Sequence, residues 1–180
     1  MPAAAANVRP ATHADFGAIA AMLGDFMAQH HGWHPDEFRP TLLGFTPAIF
    51  QGWLDQPNTL HLAAEIGGSV VGYASSSSFS GFANDFMFAR PGVHIAFIVV
   101  AQAMRRKGVG RALFGAIEAW ARESDAEYIG LNVTPLNDGA RAFYASLGYD
   151  LRNEYRTKTI REVRRFEADA QHERVPLAKR

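Results

Sequence analysis

The feature that most constrains this chain is an apolar run leading into a basic, glycine-containing turn. Residues Val93 to Ala101 are apolar except for His94. The run is far too short to cross a bilayer and suits a strand buried on both faces. Such a strand sits at the centre of a sheet, with a layer on each side. Shortly after it comes Arg105–Arg106–Lys107–Gly108–Val109–Gly110. Leu113, Phe114, Ile117 and Trp120 then recur at the spacing of an amphipathic helix. A strand–turn–helix unit of this kind belongs to a layered domain that mixes strands and helices.

The remaining segments extend that pattern. Asn7–Pro10 reads as a first strand. Thr12 resembles a helix N-cap with Asp15 three residues on, a shortened capping box. Phe16, Ile19, Ala20, Leu23, Phe26 and Met27 predict an amphipathic helix that Gly32 and Pro35 end. A second helix is expected from Pro47 to Leu54. Leu60–Glu65 and Ser69–Ser76 flank Ile66–Gly67–Gly68 and read as a hairpin. Tyr128–Val133 predicts a further strand, Asn137–Leu147 a helix closed by Gly148, and Leu151–Ile160 a last strand. The expected order is β-α-α-β-β-β-α-β-α-β in one α/β (α+β) domain over residues 7–160. Residues 161–180 are charge-dense and read as a tail or an exposed helix.

Composition narrows the function classes. At 180 residues the chain fits one domain. The absence of Cys excludes a disulfide framework, a thiolate zinc site and a Cys nucleophile. Eighteen basic against eighteen acidic side chains argue against a protein that coats nucleic acid or an anionic membrane. The N-terminal residues lack the basic and apolar regions of a secretory signal, and a cytoplasmic protein is expected.

The turn at 105–110 has its own chemistry. Glycines at 108 and 110 let the backbone turn tightly and approach a ligand. Free N–H groups at a helix start, with the helix dipole, suit a pyrophosphate. The dinucleotide fingerprint fails, because its third small residue is Leu113 here, and no Walker loop is present. On the turn alone, an anion site and an ordinary connection decorated with cations both stand.

Two blocks together are more specific. Arg105-x-x-Gly108-x-Gly110, five residues after Val100, is similar to the acetyl-CoA signature of the GCN5-related N-acetyltransferases (GNAT). Asn137-x-x-Ala140-x-x-Phe143–Tyr144-x-x-Leu147–Gly148–Tyr149 resembles the family's second conserved segment. The resemblance covers about residues 7–160. It implies a mixed, mostly antiparallel sheet in which two parallel central strands, 94–100 and 128–133, splay apart. The cofactor, acetyl-CoA, would enter that opening as acetyl donor. Its pantetheine arm would pair with backbone groups of Ile98, Val99 and Val100, and an N–H there would stabilise an oxyanion. Arg105, Arg106, Lys107, Gly108, Val109, Gly110 and Arg111 would wrap the pyrophosphate. Asn137 and Ala140 would line the other wall. Tyr144 would be the general acid for the departing thiolate: a phenol with a pKa of about 10 stays protonated at neutral pH and can hand over a proton. Phe143 is expected in the core. No metal is implied. The resemblance also implies a homodimer; from the balanced charge and the short apolar run, no nucleic-acid or membrane partner is expected.

The implied reaction moves an acetyl group from acetyl-CoA to a primary amine of a small molecule by direct attack in a ternary complex. An alkyl ammonium must first lose a proton. Many family members carry a carboxylate on the central strand for this, where this chain has Ala96 and Phe97. Glu65, His94 and Asp85 are the alternative bases the sequence offers. Protein N-terminal or lysine acetylation, and a degenerate acetyl-CoA sensor, remain as other readings. A basic nucleic-acid binder is disfavoured by the balanced charge. His30, His31 and His34, with Trp33, Asp36 and Glu37, fall in the segment that shapes the acceptor pocket in this family. Phe79, Phe82, Phe86, Met87 and Phe88 read as a satellite cluster, an acceptor floor or a dimer contact.

Overall fold

Gly67 and Gly68 both have positive φ, at 60° and 79°, the paired left-handed residues that a tight hairpin turn needs. They join β2 (Thr59–Ile66) to β3 (Ser69–Phe79), the longest strand of the sheet. The computed structural model describes residues 5–160. Around that hairpin it places β1 (Asn7–Pro10), α1 (Phe16–Trp33), α2 (Pro47–Leu54), β4 (Gly92–Val100), α3 (Val109–Glu123), β5 (Tyr128–Leu131) and α4 (Asp138–Ala145). The five strands lie in sequence order in one sheet. The first three pairings are antiparallel, and β4 and β5 form the expected parallel pair.

The sheet separates two apolar cores. On one face Val71, Ala74, Val93 and Ile95 meet Leu113, Phe114 and Ile117 of α3, with Phe143 and Tyr144 of α4 against them. On the other, Tyr73 and Val99 meet Ile19 and Leu23 of α1 and Phe50 of α2. Each large apolar side chain so enclosed contributes about 1.5–3 kcal/mol. The β3–α3 approach is close. A Cβ added at Gly72 would lie 2.8 Å from a Val109 methyl group, so only glycine fits there.

At the edge of the sheet the shortened capping box forms its reciprocal half. The Asp15 carboxylate accepts from the Thr12 N–H at 2.7 Å. Both terminal nitrogens of Arg9 also reach it, at 2.8 and 2.9 Å, while Arg9 Nε reaches Glu65 at 3.1 Å. Hydrogen bonding from Arg9 holds the Asp15 carboxyl down at about 2, against the opposing pull of burial. One guanidinium thereby ties β1, the start of α1 and β2 together.

Two expectations are corrected. Residues 151–160 form no strand and are exposed throughout. Leu151, Tyr155 and Ile160 are their large apolar residues, and spacings of four and five give no two-residue alternation to bury. The aromatics after β3 form no packed satellite: Phe86 and Phe88 are more than 90% exposed. The expected tail at 161–180 lies outside the described residues.

Candidate active site

The centre of the site is where β4 loses a partner. Gly92, Val93, His94 and Ile95 pair in parallel with Tyr128, Ile129, Gly130 and Leu131 of β5, and there the pairing stops. From Ala96 to Val100 the strand keeps only β3 beside it. The splay comes with a bulge. Ser75 of β3 pairs with Phe97 and Ser76 with Ile95, which leaves Ala96 as one residue too many. The bulge reverses the side-chain parity of β4. Val93 and Ile95 face α3, whereas Phe97 and Val99 face α1 and α2. Ile98 and Val100 then face α3. These side chains are taken up by the cores, so what the open half of β4 offers a ligand is its backbone edge.

The basic turn continues from that edge. Gly108 caps α3 in the left-handed region at φ 85°, with open space where a Cβ would point, and Arg106 is left-handed at φ 64°. The first helical bond runs from the Ala112 N–H to the Gly108 carbonyl, so the N–H groups of Val109, Gly110 and Arg111 precede the ladder. Arg105, Arg106, Lys107 and Arg111 are exposed around them. Arg105 Nε donates to the Val100 carbonyl at 3.3 Å, joining the turn to the open strand. Gly110 has a second reason to be glycine. Its Cβ would come 3.2 Å from the Phe143 ring, so the helix start fits closely against α4.

On α4, Asn137 caps the helix: its side chain accepts from the Ala140 N–H at 3.1 Å. Phe143 and Tyr144 both sit against Phe114, with ring centroids 5.6 Å apart in each pair. Phe143 is core, as expected. Tyr144 is half-buried, and burial pushes its phenol above the ordinary range. Such a phenol stays protonated at neutral pH and remains a donor.

The other face of the sheet carries a cavity of about 200 Å³ at the bulge. Trp53 of α2, Thr59 and His61 of β2, Ser75 of β3 and the bulge pair Ala96 and Phe97 line it. Trp53 stacks on Phe97 at 5.9 Å with 12° between the rings. The cavity therefore opens beside the same residues at which the unpaired edge begins.

The model for the acetyltransferase (GNAT) family matches residues 20–149. The chain belongs to the GNAT acetyltransferase family. No curated protein matches it. Solved structures share the fold. A point mutant of the BH1408 protein from Bacillus halodurans is 24% identical, with a TM-score of 0.82 over 86% of this chain and 99% of that one. The aminoglycoside N-acetyltransferase AAC(6')-Iy, in complex with a CoA-linked acetylneamine bisubstrate analogue, is 15% identical at TM-score 0.67 over 88% and 99%. The apo 6'-N-acetyltransferase AAC(6')-IG from Acinetobacter haemolyticus is 20% identical at TM-score 0.62 over 86% and 99%.

Within this GNAT fold, the residues read from the sequence fall into two groups. Ile98, Val99, Val100 and the 105–111 turn form one continuous edge. The three alternative bases do not line the cavity. Glu65 is tied to Arg9 at the sheet edge, Asp85 is exposed in the loop after β3, and His94 lies in the paired half of β4. The histidines at the end of α1 are engaged elsewhere: His30 and His31, in its last turn, with the carbonyls of Phe26 and Phe38, and His34, just after it, with the Thr134 hydroxyl at 2.8 Å. That last bond joins the segment after α1 to the segment after β5. The residue that sequence reasoning missed is His61, whose one signal is a polar position between Leu60 and Leu62.

Proposed function

We propose that this GNAT protein transfers the acetyl group of acetyl-CoA to a primary amine of a small molecule, by direct attack in a ternary complex. The observation that carries the reading is the unpaired half of β4 running into the N-terminal turn of α3. An extended amide-bearing arm matches the first, and a pyrophosphate matches the second. Acetyl-CoA supplies an activated acyl group as a thioester. The chain's own part is to hold that arm along Ile98–Val100, to set N–H groups and cations of 105–111 around the phosphates, and to present Tyr144 as a proton donor. Asn137 and Ala140 shape the opposite wall. The small-molecule acceptor is supported by the limited cavity volume and by the aminoglycoside ligand seen on a fold relative. We place the catalytic domain at residues 7–160 and the working form as a homodimer. The exposed Phe82, Phe86 and Phe88 support the dimer, which sedimentation would check.

A second reading, an acetyl-CoA sensor without turnover, is favoured by one observation: among the described residues no carboxylate lines the cavity. Calorimetric titration with acetyl-CoA, followed by thiol release over a panel of amines, amino acids and peptides, separates the two. The transferase reading expects binding and release with a small amine. Release with peptides alone gives a protein acetyltransferase, binding without release gives the sensor, and no binding removes the cofactor assignment.

A further inference from the structure

His61, Tyr73 and Ser75 share one face of the β2–β3 pair. His61 lies directly across from Ser75, and Tyr73 is two residues from Ser75 on the same strand. Ser75 and His61 line the cavity at the bulge, and His61 is the one titratable side chain among its lining residues. Tyr73 is fully buried behind them. Its ring lies nearly parallel to that of His61, at 17°. The Tyr73 hydroxyl meets His61 Nδ1 at 2.8 Å, and the Ser75 side chain is near enough to Tyr73 to oppose the upward pull of burial on its phenol.

Resting on the transfer reading above, we infer that Ser75, Tyr73 and His61 form a proton outlet, which takes the proton that the acceptor ammonium must lose before it attacks. The step balances as a shift of three protons. The ammonium proton goes to Ser75 Oγ, the Ser75 hydroxyl proton goes to Tyr73 Oη, and the Tyr73 proton goes to His61 Nδ1. A neutral amine and an imidazolium result, with Ser75 and Tyr73 unchanged. Nδ1 can receive a proton only in the tautomer with hydrogen on Nε2, the tautomer in which Tyr73 donates to Nδ1.

Further observations agree. Burial pushes the His61 pKa down, so the ring is uncharged at neutral pH and has a lone pair to offer. The Trp53 backbone carbonyl beside the ring favours the imidazolium once it forms. Nε2 is nonetheless buried without a well-aligned hydrogen bond, a costly arrangement for a residue that merely fills space. Among the described residues no fixed charge lines the cavity: α2 and the turn after it bring Trp53 and Gln56, β4 brings Ala96 and Phe97, and β3 brings the serines with Tyr73 behind them. On the β1 side, Arg9 is engaged by Asp15 and Glu65. The outlet opens beside Ala96 and Phe97, where the unpaired edge of β4 begins.

The test uses two acceptors of similar shape and different basicity. Ethylamine is cationic at neutral pH, whereas trifluoroethylamine is largely uncharged. Acetyl-CoA turnover is measured at pH 7 for the wild type, His61→Gln and Ser75→Ala, with acetyl-CoA affinity followed by calorimetry. The outlet predicts that His61→Gln slows ethylamine by about 100-fold and Ser75→Ala by about 10-fold, with trifluoroethylamine changed less than about 2-fold. Equal losses for both amines overturn the outlet and leave acetyl transfer standing. Unchanged ethylamine rates in both variants also overturn it. If His61→Gln does not fold, the amine selectivity of Ser75→Ala decides alone. No thiol release from wild type with any amine removes the transfer reading itself, and the outlet with it.

Discussion

The two halves of β4 are one strand with two fates. From Gly92 to Ile95 it has a partner on each side; from Ala96 to Val100 it has β3 alone. Apart from His94 both halves are apolar, and each sends its large apolar side chains into the cores. Hydrophobicity therefore does not separate them. What does is the end of the β5 pairing at Leu131 and the extra residue at Ala96. The closed half has its backbone groups satisfied and holds the sheet together. The open half keeps one row of groups without a strand partner, and its bulge turns Phe97 toward the cavity. Damage to the closed half should appear as lost stability, and damage to the open half as lost binding or turnover.

The sharpest test reverses charge beside the open half. Arg106→Glu with Lys107→Glu alters two exposed side chains. If that turn holds a pyrophosphate, acetyl-CoA affinity should fall by about 100-fold or more, through two lost charge-assisted contacts. The melting temperature should move little. Calorimetry and thermal unfolding on the same samples read both; unaltered affinity would place the phosphates elsewhere. Next comes Tyr144→Phe. It should lower kcat by about 100-fold while acetyl-CoA affinity holds, the pattern of a group that acts in the transition state. A matched fall in affinity and stability would return Tyr144 to the core of Phe114 and Phe143.

The closed half is broken at Gly92. A Cβ there would lie 2.9 Å from the Phe79 ring and 2.9 Å from the Tyr128 ring. Gly92→Ala should destabilise by about 1–3 kcal/mol, as overpacking does. Turnover per folded molecule should stay unchanged. A denaturant titration with activity measured in its absence separates the two. Loss of turnover at full folding would mean that the two halves are coupled.

Much of this architecture is legible in the sequence because its signals are local. The 93–101 run, the helical spacing of Leu113, Phe114 and Ile117, and the Gly67–Gly68 turn each encode an element within a short window. The parallel β4–β5 pair was implied by the family resemblance that the two motifs carry. The cavity at the bulge was not legible, because it depends on register. His61 meets Ser75 and Tyr73 only through the β2–β3 pairing, and Phe97 faces the cavity only because of a bulge that no residue type announces. The strand expected at 151–160 failed for the opposite reason. Its residues tolerate extended backbone, but Leu151, Tyr155 and Ile160 do not alternate, and a strand without an apolar face has nothing to hold it on the sheet.

The smallest expected effect lies farthest from the open edge, at the Arg9–Asp15–Glu65 knot. The Asp15 carboxyl is held at about 2 in the folded chain against an ordinary 3.8, chiefly by hydrogen bonds from Arg9. A depressed carboxylate pKa means that the folded state binds the proton less readily than the unfolded one. The stabilisation is therefore fully present above about pH 4 and is lost as pH falls through about 2. With Arg9 partly open to solvent, the contribution should be about 1–2 kcal/mol. Asp15→Asn should remove that much stability at pH 7 and flatten the acid limb between about pH 4 and pH 2. It should leave acetyl-CoA affinity and the response to Gly92→Ala untouched, because the knot joins β1, α1 and β2 and has no part in either half of β4. Urea unfolding at stepped pH measures it. An acid limb as steep in Asp15→Asn as in the wild type would move the acid sensitivity to another carboxylate.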